Sequence, residues 1–126
     1  MIALITGTNS GVGLATAVEL ATAGHTVVAT MRNLGKGEAL QAAAAQAGVQ
    51  VQTAALDVTD TAAVKQVVAD VVAEHGAIDV LVNNAGASYV GTLEQISDEN
   101  LAWMMDVNFT GVARLTREVL PHMRAN

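Results

Sequence analysis

Two rhythms of apolar residues alternate along the chain: short unbroken runs, and longer stretches with a period of three to four. Ile2 to Thr6 is an unbroken run, which predicts a strand covered on both faces. Gly11 to Ala23 carries the helical period and closes at Gly24, a residue suited to a left-handed carboxyl-terminal cap. His25 leads into a second strand, Thr26 to Thr30. Lys36 to Ala47 is alanine-rich and helical up to Gly48, and Val49 to Leu56 predicts a third strand. Thr59 or Asp60 can cap the next helix. There Val64, Val67, Val68, Val71 and Val72 fall at i, i+3, i+4, i+7 and i+8, a stripe that must face a sheet. Gly76 ends that helix, and Ile78 to Val82 reads as a fourth buried strand. After a loop from Asn83 to Ile96, Ser97 with Asp98 and Glu99 opens a last helix predicted to run to about His122. Pro121 marks its kink or its end.

Strands alternating with helices predict an α/β domain, a parallel sheet wrapped by helices, over residues 1–126 as one unit. A right-handed crossover out of the last helix would bring a fifth strand beside the fourth, and none follows within the 126 residues. Composition sharpens the picture of the core. There are 24 Ala and 18 Val against one each of Trp, Tyr and Phe, so small side chains must fill the space between closely packed elements. An apolar content of 52% excludes disorder.

Six Lys and Arg against 12 Asp and Glu give a net charge of -6, and the basic residues are scattered. Nucleic-acid binding thereby loses its electrostatic footprint. Cysteine is absent, which removes disulfides, thiolate metal sites and a Cys nucleophile. The valine-rich run from Val64 to Ala73 is interrupted by Lys65, Gln66 and Asp70, so no membrane-spanning helix is expected. The amino end has no basic segment ahead of its apolar one, and the expected location is cytoplasmic. His25, His75 and His122 lack metal-ligand spacing and read as surface residues, so no metal site is expected.

Between the first strand and first helix stands Thr6-Gly7-Thr8-Asn9-Ser10-Gly11-Val12-Gly13. Glycines admit positive φ and a close backbone approach, and a helix amino terminus offers free N–H groups to a pyrophosphate. The spacing differs from G-x-G-x-x-G and is not a P-loop, since no Lys-Ser or Lys-Thr follows. A tight βα turn that binds nothing uses the same residues. The second strand ends Thr30-Met31-Arg32-Asn33, without the acidic residue that would accept from a ribose 2′-hydroxyl. Arg32 offers a guanidinium fork to a 2′-phosphate, which favours NADP over NAD; otherwise it is a solvated loop charge.

Three further segments make the pattern specific: Leu56-Asp57-Val58-Thr59, Asn83-Asn84-Ala85-Gly86, and Asp106-Val107-Asn108-Phe109-Thr110-Gly111. With the glycine turn, this ordered set resembles the short-chain dehydrogenase/reductase family over nearly the whole chain. The resemblance implies a Rossmann-type doubly wound sheet, here partial, with strand order 3-2-1-4. It also implies an NAD(P)-dependent oxidoreductase moving hydride between nicotinamide and a small carbonyl or alcohol substrate. By the same resemblance Gly7, Asn9, Ser10, Gly11, Val12 and Gly13 cradle the phosphates and ribose. Asp57 and Val58 meet the adenine, and Asn84, Ala85 and Gly86 pass under the ribose and nicotinamide. Asn108 matches the catalytic asparagine, whose carbonyl helps hold a water in a proton relay. Gly111 supplies the local irregularity that a mid-helix Asn in such a role needs.

The family's proton donor is a Tyr with a Lys four residues later, preceded by a Ser near a fifth strand. These residues are not among the 126: the only tyrosine, Tyr89, has Leu93 four positions on. The expectation is therefore the cofactor-binding portion of an NADP-dependent oxidoreductase, truncated before its acid-base pair and inactive alone. In complete members of the family that this chain resembles, the last helix packs on its counterpart in a second subunit, so the resemblance implies a homo-oligomer for the complete protein. A non-catalytic nucleotide- or partner-binding module and a truncated reading frame stand as alternatives. Around Tyr89, Val90 and Leu93 the loop suits an aliphatic or steroid-like carbonyl compound, and Thr30-Met31-Arg32 resembles some hydroxysteroid dehydrogenases.

Overall fold

The computed structural model describes all 126 residues. Four parallel strands, β1 (Ile2–Thr6), β2 (Thr26–Met31), β3 (Gln52–Ala55) and β4 (Val80–Val82), form one sheet in the order β3-β2-β1-β4. The helices between them are α1 (Gly11–Thr22), α2 (Glu38–Gln46) and α3 (Thr61–His75); α4 (Asp98–Met105) and α5 (Gly111–Ala125) follow the sheet.

Alternation along the strands divides the core in two, because successive side chains leave a strand on opposite faces. Leu4 and Val28 point to one side and join Val64, Val68 and Val71 of α3 with Leu115 and Val119 of α5. Ala3, Ile5, Val27, Ala29 and Met31 point to the other side and join Ala17 and Ala21 of α1 with Leu40 and Ala44 of α2. Both faces of the sheet are therefore covered, which is the doubly wound arrangement, and the glycine turn lies at the carboxyl end of β1 between its neighbours.

Element ends differ from the sequence reading for local reasons. The third strand begins at Gln52 and not Val49, because Gly48 takes φ +70° and Val49 N–H returns to the Ala44 carbonyl at 3.0 Å, completing the cap of α2. The fourth begins at Val80 although Ile78 is fully buried; Asp79 intervenes, its amide donating to the Ile2 carbonyl at 2.9 Å and its carboxylate accepting from Ile2 N–H at 2.6 Å. Helix α2 starts at Glu38, since Asn33 caps a separate 3₁₀ turn at Leu34–Lys36 and Gly37 separates the two. The single last helix divides into α4, a π-helical turn at Asp106–Thr110, and α5. Pro121 does not end α5, which continues to Ala125. His75 is partly buried at the surface: its side chain is 16% exposed, and its Nε2 lies 2.9 Å from Oε1 of Gln52.

Candidate functional site

Strand β1 delivers the chain into the glycine turn, where Gly7 at φ +68° and Gly11 at φ +58° adopt the left-handed region that L side chains avoid. A Cβ on Gly13 would stand 2.2 Å from the Gly7 carbonyl oxygen and 2.4 Å from Asn84 Nδ2, so helix, turn and fourth strand meet with no room between them. At Gly11 a Cβ would meet nothing within 4 Å. The outer pair, Gly7 and Gly13, closes the packing, and Gly11 between them leaves the mouth of the turn open.

Polar side chains on neighbouring strands hold this turn. Thr8 donates its backbone N–H at 3.1 Å and its hydroxyl at 3.0 Å to the Thr30 carbonyl at the end of β2. Thr6 Oγ1 accepts from the amides of Asn84 and Ala85 at 3.0 and 2.9 Å. Asn84 in turn donates through Nδ2 to the carbonyls of Thr6 and Gly7 at 3.0 and 2.9 Å. Its side chain is thus a latch between β4 and the turn, consumed by the fold.

Ser10 stands at the amino terminus of α1 with its side chain making no capping bond, and the first turn of that helix contains no acidic residue. By contrast Asp60 caps α3 by accepting from Ala63 N–H, and Ser97 caps α4 by accepting from Asn100 N–H. The amides opening α1 keep their affinity for an external anion. In front of them lies a hollow of about 250 Å³ lined by Gly7, Asn9, Ser10, Arg32, Asn84 and Gly86 among others. A second hollow of about 330 Å³ shares Asn9, Met31 and Arg32 with the first and adds Asn33, Lys36 and Asp57. Two cations against one carboxylate make its wall locally positive in a chain of net charge -6.

Asp57 is not the cap of α3. Its Oδ1 accepts from the amide and the hydroxyl of Thr59 at 3.0 and 2.7 Å, which fixes the carboxylate at the wall of the second hollow. Val58 is buried, and its carbonyl accepts from Arg114 Nη1 at 2.5 Å. Arg114 also donates to Asp106 Oδ1 at 3.0 Å, tying the start of the π turn to the loop after β3. Within that turn Asn108 accepts from Ala87 N–H through Oδ1 at 2.8 Å and donates through Nδ2 to the Ala87 carbonyl at 2.7 Å. A Cβ on Gly86 would lie 3.3 Å from Asn108 Oδ1, so this residue backs the floor of the first hollow.

The sequence-derived set is therefore gathered on one end of the sheet. Gly7, Asn9, Ser10, Arg32, Asn84, Ala85 and Gly86 line the first hollow and Asp57 the second, whereas Gly11, Val12, Gly13 and Val58 frame the hollows without lining them. Asn108 lines a different groove, on the exposed side of α5, with Phe109, Val112 and Thr116 among others. Sequence reasoning missed Lys36 and the bracing pair Thr6 and Thr8. Lys36 falls four residues after Arg32, and only the 3₁₀ turn brings both onto one wall.

A protein-family model described as short chain dehydrogenase matches residues 1–126. The chain belongs to that family. Human retinol dehydrogenase 8 is 46% identical over 125 residues, covering 96% of this chain and 39% of the human protein. A crystal structure of a short-chain dehydrogenase/reductase from Burkholderia xenovorans superposes with a TM-score of 0.93 at 36% identity, covering 98% of this chain and 49% of that one. A metagenomic short-chain oxidoreductase solved in complex with NADP gives 0.91 at 32% identity, covering 99% and 57%. This short-chain dehydrogenase sequence spans about half the length of the proteins it matches, or less. None of its helices is long and apolar enough to cross a membrane.

Proposed function

We propose that residues 1–126 form a single domain that binds NADP, the cofactor-binding portion of an oxidoreductase that interconverts small carbonyl compounds and alcohols. The observation that carries the choice of NADP is the wall of the second hollow, where Arg32 and Lys36 stand with Asp57 and the end of β2, Met31-Arg32-Asn33, carries no acidic residue. A guanidinium and an ammonium suit a 2′-phosphate; a carboxylate at the strand end would suit a free 2′-hydroxyl. The metagenomic relative solved with NADP supports the same reading.

The residues present fit the group. The uncapped amides of α1 and Ser10 would take the pyrophosphate, and Gly7 and Asn9 would let it approach the backbone. Asp57 would accept from the adenine amino group, and Ala85 and Gly86 would lie under the ribose and nicotinamide. When bound, the reduced cofactor supplies hydride from its nicotinamide ring. Asn108, held to Ala87 by two hydrogen bonds in a widened turn, would fix a water of the proton relay. The general acid of the reaction, a Tyr lowered in pKa by a nearby Lys, has no counterpart in these residues, so they bind the cofactor without turning it over unaided.

Calorimetric titration of the purified protein tests the reading. NADPH is expected to bind more tightly than NADH, and Arg32→Gln to remove about tenfold or more of that difference, as for the loss of a charge-assisted hydrogen-bonding pair. Equal affinities in the unmodified protein, or preference for NADH, would contradict it.

A further inference from the structure

The guanidinium of Arg32 has no carboxylate partner. It lies instead over the ring of Trp103, with Cζ 5.7 Å from the ring centroid. Trp103 is the only tryptophan of the chain and sits on α4, four residues ahead of the buried Val107. The contact joins residues 71 positions apart and bridges the carboxyl end of β2 to a helix beyond the fourth strand. A tryptophan 38% exposed is a costly way to cover surface, and its quadrupolar face attracts a cation at this distance.

We propose that Trp103 is a positioning residue for cofactor choice. Its indole holds the Arg32 guanidinium at the junction of the two hollows, with the planar fork free to take a 2′-phosphate. The inference rests on the NADP reading above and adds to it the residue that orients the discriminating cation. An exposed arginine loses rotamer freedom when it engages an anion, and a ring that already restricts the side chain lowers that cost. Trp103 does not line either hollow, so it acts through Arg32 and not on the cofactor. Lys36, on the same wall, keeps part of the attraction when the ring is lost, which makes the expected effect partial.

The test is the ratio of NADPH to NADH affinity, measured by calorimetry on the unmodified protein, Trp103→Phe, Trp103→Leu, Arg32→Gln and the double variant of Trp103→Leu with Arg32→Gln. Trp103→Leu is expected to lower the ratio by about two- to fivefold, the scale of one exposed cation–π contact. NADH affinity should stay unchanged and Trp103→Phe should keep most of the preference. With Arg32→Gln already in place, Trp103→Leu should have no further effect on the ratio. Equal weakening of both cofactors, or an unchanged ratio, overturns the proposal while leaving the NADP reading intact. An unmodified protein without preference overturns both. Should Trp103→Leu not fold, the emission of the single tryptophan decides the matter. Adenosine 2′,5′-bisphosphate is expected to shift it and adenosine 5′-monophosphate is not; the same response to both overturns the proposal.

Discussion

Gly13 and Asn84 decide at the level of single atoms whether the glycine turn keeps its shape. A methyl group at Gly13 must displace the Gly7 carbonyl or the Asn84 amide, both fixed by other bonds. Gly13→Ala is expected to cost about 1–3 kcal/mol of stability, the usual range for overpacking. It should also abolish NADPH binding, as read by thermal unfolding and calorimetry. Asn84→Ala leaves the carbonyls of Thr6 and Gly7 short of a donor and is expected to cost about 1–3 kcal/mol. A melting temperature unchanged by Asn84→Ala would show that the latch has no energetic role. The glycines were legible in the sequence because positive φ and tight approach leave few other residue types possible. Lys36 was not legible, since its place on the wall depends on a 3₁₀ turn whose cap, Asn33, gives only a weak signal.

Among the elements, the helix pair α4 and α5 carries the most information beyond periodicity. Apolar spacing alone predicts one continuous helix there, yet five residues from Asp106 to Thr110 form a wider π turn. Its cause is tertiary: Arg114 pulls Asp106 toward the Val58 carbonyl, and Gly111 fits where a Cβ would meet the Asp106 carbonyl at 2.7 Å. Gly111, with the mid-helix Asn108, announced this irregularity in the sequence, whereas the kink or end expected at Pro121 is not where the helix divides. Arg114→Met is expected to weaken the π turn and loosen the Asn108 latch, raising the exchange rate of the Ala87 amide in hydrogen-exchange measurements. Exchange at Ala87 unaffected by the substitution would separate the two networks.

The 3₁₀ turn at Leu93–Gln95 adds a pH dependence of known sign. Its own backbone amide and the hydroxyl of Thr92 hold the Glu94 carboxyl below its ordinary pKa. A depressed pKa stabilises the turn above the unfolded value, and that contribution disappears as pH falls through the folded value. Glu94→Gln should therefore remove the acid-induced rise in exchange at Gln95, and a rise that persists in the variant would place its cause elsewhere.

For the whole molecule, the alternation of strands and helices was readable because each βα unit has its own glycine or cap signal, whereas the strand order came from the family resemblance and matches the observed β3-β2-β1-β4. What could not be read is how distant elements meet at one end of the sheet. Arg32 over Trp103, and Asp57 and Lys36 lining one hollow, are products of that convergence, with no local pattern to reveal them. The central claim is that this end of the sheet is the cofactor cradle. Amide chemical shifts recorded during an NADPH titration test it most directly. The account predicts perturbations concentrated at Gly7, Ser10, Gly11, Arg32, Ala85 and Gly86, smaller with NADH at Arg32. Perturbations centred instead on the α5 groove at Phe109, Val112 and Thr116, or none at saturating NADPH, would contradict it.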